Sequence, residues 1–152
     1  MSKDNFNTTI YSEKAIELMH EHSTDKPYSN KAYRIIDHLC DEPITGLDFT
    51  PTFIKKGKIT FECQDEIVDS GSFGLFGVSF FDSLEKLKSY RPLMKKYQNK
   101  SYSIVEGKID YKKGETTEIE ASGHFNLFIY DPTKDNKFDN DFVIIEENKQ
   151  NE

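Results

Sequence analysis

The chain has 152 residues, enough for one hydrophobic core, and its 20 basic against 27 acidic side chains give a net charge of −7. Twelve Phe and eight Tyr exclude a disordered, weakly apolar chain. The acidic total argues against non-specific binding to DNA or to an anionic membrane, and no apolar run reaches the length of a membrane span.

The start, Met-Ser-Lys-Asp-Asn, lacks the apolar stretch of a secretory signal, so the chain reads as cytoplasmic. In chain order, Ser12 is a helix cap, and Ala15, Ile16 and Met19 form one apolar stripe behind it. Ser29 or Asn30 caps a second helix with the stripe Ala32, Ile35, Ile36, Leu39, Cys40, which Pro43 ends. Residues 10–42 therefore read as a pair of helices. From Phe49 the period changes. Ile59, Phe61 and Cys63 alternate with polar residues, and Phe73–Phe81 reads as a glycine-bearing, bent strand.

Asp82-Ser83 caps a basic helix with Leu84, Leu87 and Tyr90 on one face. Pro92 either kinks it or opens a second short helix. Tyr102–Tyr111 is a strand with a bulge where the apolar phase slips between Ile104 and Val105. It pairs as a long hairpin with Thr117–Tyr130 across a turn at Gly114, with Ile119, Ala121, Phe125, Leu127 and Ile129 on one face. The continuous run Phe142–Ile145 reads as a strand buried on both faces, and residues 147–152 as a disordered tail. These elements predict a single α+β domain over residues 1–146. Its sheet is mainly antiparallel, of about five strands, with an N-terminal helical pair and one inserted basic helix.

No catalytic or metal motif is complete. Asp131, Thr133, Asp135 and Asp139 alternate as in a calcium loop, but Asn136 stands where the loop needs Gly and Phe142 where it needs a bidentate Glu. His20 and His22 are two apart on a helix and face apart, as do His38 and Cys40; His124 falls in the out-facing phase of its strand. Cys40 and Cys63 match no metal or redox spacing and read as free thiols. Gly77-Val78-Ser79 begins a nucleophile elbow but lacks the final Gly, and Gly71, Gly74 and Gly77 match no phosphate loop, so no cofactor is implied.

Two features point outward. Lys86, Lys88, Arg91, Lys95, Lys96 and Lys100 interleave with Tyr90 and Tyr97 on the basic helix, and Phe73 and Phe76 sit on a glycine-rich segment. Lys88, Arg91, Lys95, Lys96, Phe73 and Phe76 are thus the candidate partner-binding residues. Such charge segregation steers association, which makes a non-enzymatic accessory, inhibitor or immunity protein of bacterial or phage type the leading expectation. Its partner is another protein, with nucleic acid entering only through the basic helix. The alternative is a small nucleotide-binding enzyme. Arg34 early, Ser79 in the middle and Glu146-Glu147 late stand in an order that resembles ADP-ribosyltransferases. That resemblance implies that Arg34 and Ser79 bind NAD, that a late Glu acts at the glycosidic bond, and that Arg34 lies on a strand.

Overall fold

The structure is a computed structural model that describes residues 5–133 and 138–150. Its centre is one antiparallel sheet of six strands: β1 (Lys31–Ile36), β2 (Val78–Phe81), β3 (Tyr102–Lys108), β4 (Gly114–Thr116), β5 (His124–Ile129) and β6 (Phe142–Asn148). Their spatial order is β4-β5-β2-β1-β3-β6. Among the described residues five short α-helices accompany them: α1 (Glu13–Glu21), α2 (Thr52–Lys55), α3 (Phe61–Asp69), α4 (Leu84–Ser89) and α5 (Arg91–Lys96). The fold is α+β with an antiparallel sheet, as the residue pattern predicts, and has one strand more than expected.

Helix starts follow local chemistry. The hydroxyls of Ser12, Thr60 and Ser83 accept the backbone N–H groups of Ala15, Cys63 and Lys86. Pro92 sits in the first turn of α5, so the basic stretch is two short helices meeting at Tyr90 rather than one kinked helix.

Several expectations are overturned. The predicted second helix is β1, so the N-terminal helical pair reduces to α1. β1 is a central strand with Ala32 and Ile36 packed in one cluster and Tyr33 and Ile35 in another. A central strand carries apolar residues on both faces, so Ala32, Ile35 and Ile36 fall at helical spacing without forming a helix. Residues 58–63 are not a strand: Ile59 and Phe61 are exposed and Thr60 caps α3. Phe73–Phe76 is a 3-10 turn, and only Val78–Phe81 extends.

The long hairpin is also corrected. β3 lies between β1 and β6, and β5 instead pairs with β4 and β2. A turn at Glu120–Gly123 interrupts the expected 117–130 strand. The bulge is where it was expected, between Ile104 and Val105. β6 is an edge strand with Val143 60% exposed, not a strand buried on both faces. It continues to Asn148, so Glu147 and Asn148 are strand rather than tail.

The two sheet faces are covered differently. Val78, Phe80, Val105, Phe125, Leu127 and Ile129 face one side, where Phe49, Phe138 and Phe142 close the core. On the other side, α4 and α5 cover Ile35, Phe81 and Ile104 with Leu87, Leu93, Met94 and Tyr97. Further along that side, α1 and α3 cover Phe128 and Tyr130 with Ile16, Met19 and Ile67. Between these two helical covers, the sheet presents polar residues from β2 and β5. That gap is the candidate site.

Candidate functional site

β1 and β2 pair at one position only, Tyr33 with Phe81. The same register would bring Ile35 opposite Ser79 and Ile36 opposite Val78, but the strands diverge instead. Arg34 fills the fork. Its Nε donates to the Asp48 carbonyl at 2.9 Å and its Nη1 donates to the Ser79 carbonyl at 3.0 Å. The guanidinium thus supplies the hydrogen bond that β1 backbone would have made, and it lies 6.0 Å from the Phe80 ring centre. Two of its five N–H groups are used this way, which leaves three for a ligand.

The fork opens into a cleft of about 360 Å³ lined by Arg34, Asp37, Asp48, Lys55, Ser79, Tyr90, Lys96, Tyr97 and His124, among others. Its charges are crowded. Burial lowers the Arg34 pKa, and nearby Tyr97, Asp37 and Asp48 only partly offset this. Burial also lowers the Lys55 pKa, reinforced by Arg34 and Lys96 and opposed by Asp37 and Asp48. Both acids already hold hydrogen-bond partners: Asp37 accepts the Tyr97 hydroxyl at 2.7 Å, and Asp48 lies 2.8 Å from His38 Nε2. Burial, then the Asp37 hydrogen bond, raises the Tyr97 pKa. Three cations, Arg34, Lys55 and Lys96, line the cleft against two carboxylates, Asp37 and Asp48, which leaves it net positive.

At its β5 wall a chain of hydrogen bonds runs from Glu120 through His124 to Ser79. His124 Nδ1 lies 3.0 Å from Glu120 Oε1, and His124 Nε2 lies 3.1 Å from Ser79 Oγ. The turn between Glu120 and His124 is closed by Gly123 N–H donating to the Glu120 carbonyl and Glu120 N–H donating to the His124 carbonyl. Gly123 holds φ +88°, and a Cβ there would lie 2.7 Å from the Asp82 carboxylate, so the turn needs glycine. Tyr90 stacks parallel to the His124 ring and Phe81 meets it edge-on.

The residues singled out from sequence are dispersed. Arg34 and Ser79 meet in the cleft, and Arg34 is on a strand. Glu146 pairs instead with Lys88 at 2.8 Å, and Glu147 accepts from the backbone N–H and thiol of Cys40 at 2.7 and 3.0 Å. Arg91, Lys95 and Lys96 are exposed on α5, and Lys96 reaches the cleft. Phe76 is fully buried, and Phe73 is half-buried with its ring stacked on His22, so that pair is not a presented surface. Cys40 and Cys63 are free. Of the calcium-like loop, residues 134–137 lie outside the described residues. Asp131 accepts from Asn7 and Asp141 pairs with Lys113. Among the described residues no three His, Cys, Asp or Glu side chains stand together to hold a metal, and no helix is long and apolar enough to cross a membrane. His124 reads from the sequence only as an out-facing histidine, and Glu120 and Lys55 give no signal, because their meeting depends on the tertiary fold.

The His38–Asp48 pair behind Arg34 makes stability pH-dependent. Burial pulls the His38 pKa down, but hydrogen bonds to Asp48 and to the Leu39 carbonyl, with the Asp48 and Glu42 charges, raise it overall. Both ring nitrogens face acceptors, which suits the imidazolium. A raised folded-state pKa contributes stability that is full below the unfolded value of about 6.5 and is lost as pH rises through the folded value. The melting temperature should therefore fall across that window, and His38→Gln should flatten the fall. An equal fall in the variant would assign it to another group.

Comparison of the chain with protein-family models, curated proteins and solved structures finds no match in any of the three.

Proposed function

We propose that the protein binds an NAD-type dinucleotide in the β1–β2 cleft, as an ADP-ribosyltransferase-like nucleotide-binding protein. The observation that carries this reading is the convergence of Arg34 from β1 and Ser79 from β2 on one cleft. The donor set fits the ligand. Arg34, Lys55 and Lys96 suit phosphate oxygens, and the Tyr90 ring beside His124 suits a planar base. The volume lies at the small end of ligand pockets, about 300–1,000 Å³, so the cleft takes one half of the dinucleotide and leaves the other outside. The late glutamate of the resemblance has no counterpart at the cleft among Glu146 and Glu147. His124, backed by Glu120, stands beside Ser79 instead.

Titration calorimetry with NAD tests the reading. Saturable one-to-one binding that weakens with added pyrophosphate supports it; heat no greater than dilution overturns it.

A second reading, capture of an acidic protein surface, is favoured by α5, which exposes Arg91 and Lys95 outside the cleft lining while Leu93 and Met94 pack on the sheet. The double variant Arg91→Glu, Lys95→Glu leaves Lys96 and the cleft intact. Reduced, less salt-sensitive capture of acidic proteins from a cytoplasmic extract, with NAD binding unchanged, is the expected outcome. Unchanged capture and salt dependence would remove α5 from the function.

A further inference from the structure

We infer that Ser79 is an activated nucleophile, with His124 as its general base and Glu120 as the group that positions His124, acting on a carboxylic ester that carries a negative charge. The inference rests on the hydrogen-bond chain and stands independently of dinucleotide binding.

The two bonds fix the proton order. A carboxylate only accepts, so the Glu120 contact at 3.0 Å places the His124 proton on Nδ1. Nε2 then presents its lone pair to the Ser79 hydroxyl at 3.1 Å. Nucleophile to base and base to orienting group are both within the reach that proton transfer needs. The base is held: its ring is stacked on Tyr90, edged by Phe81 and anchored through the Glu120–Gly123 turn. Ser79 is exposed to the cleft. The Glu120 carboxylate is 62% exposed, so its role is to orient the ring and fix its tautomer, more than to supply a buried charge.

The reaction balances without a further reagent other than water. Ser79 Oγ attacks the ester carbonyl as its proton passes to His124 Nε2. The tetrahedral oxyanion forms beside Arg34, whose Nη1 is already held at the Ser79 carbonyl. Collapse breaks the bond to the leaving alkoxide, which takes the proton from His124 Nε2. Water, deprotonated by the same nitrogen, then attacks the acyl-serine; the acid departs and Ser79 regains its proton. Arg34, Lys55 and Lys96 select a substrate with an anionic group near the scissile ester.

The test is covalent labelling of the full chain, without NAD, by a fluorophosphonate probe, read by intact mass and peptide mapping. One adduct per chain on Ser79 is expected, and none in Ser79→Ala. His124→Gln should slow labelling about 100-fold. Glu120→Gln should slow it about 10-fold, and Glu120→Asp should restore part of the rate, which a merely structural role would not require. Melting temperatures of all four variants should match the parent. If one unfolds, Ser79→Cys replaces it, and its thiol should react with iodoacetamide faster than Cys40 or Cys63 do. Absence of a Ser79 adduct, or labelling indifferent to His124, overturns the inference.

Discussion

Arg34→Met is expected to weaken NAD binding by about 30-fold or more while lowering stability by only about 1–2 kcal/mol. Methionine keeps an apolar stem against Phe80 but removes every donor. Hydrogen bonds from a charged donor to a ligand are worth about 1.5–3 kcal/mol each, so losing one or two to a phosphate gives a loss of that order. The stability cost arises at the fork, where the carbonyls of Asp48 and Ser79 lose their donor. It stays small because Ser79 is exposed and water can replace the guanidinium there. Arg34→Lys separates the two effects. It keeps the positive charge but cannot span both carbonyls and a ligand with one ammonium, so stability should recover more than affinity. Calorimetric titration beside urea denaturation reads both quantities. A methionine variant that binds NAD as the parent does would remove Arg34 from the site.

Phe80→Ala is expected to cost about 3–5 kcal/mol, the range for deleting a fully buried aromatic ring. Phe80 has no exposure and its ring meets those of Phe49, Phe125 and Phe142 at 6.2, 5.9 and 5.7 Å between centroids. Those partners come from three separate segments, so the cavity cannot be closed by moving one of them. A domain of ordinary stability, about 5–15 kcal/mol, would lose about a fifth or more. The urea midpoint should fall with an unchanged slope. Since Phe80 also forms the floor under the Arg34 guanidinium, NAD affinity should fall with it. A loss below about 1 kcal/mol would mean that the ring is not at the centre of this core.

How much of this was legible beforehand depends on how local each feature is. Capping was legible: Ser12 and Ser83 start their helices because a side-chain oxygen two or three residues away satisfies a free N–H. The bulge at Ile104/Val105 was legible because a slip in alternation has to be absorbed within the strand that carries it. Strand partnership was not legible. β3 and the following β4–β5 segment are close in sequence and both read as strand, yet they lie on opposite sides of the β2–β1 pair. The pairing is chosen by which apolar faces bury together, and alternation within one strand is silent on that. β1 and β6 show the same limit from two directions: one apolar run is central, the other is an edge.

The acidic, aromatic-rich character follows from the sequence alone, because composition sets net charge and the supply of large apolar side chains; period indicates a mixed α+β chain but misassigns β1 and the start of α3. The order of Arg34 before Ser79 along the chain could also be read from the sequence. Only the tertiary structure decided that these two meet at a fork between β1 and β2, that Glu146 and Glu147 do not join them, and that His124, Glu120 and Lys55 do. The physical reason is that a site made across strands depends on their spatial order and divergence. Those are fixed by burial of both sheet faces at once, a condition on the whole chain that no local pattern encodes.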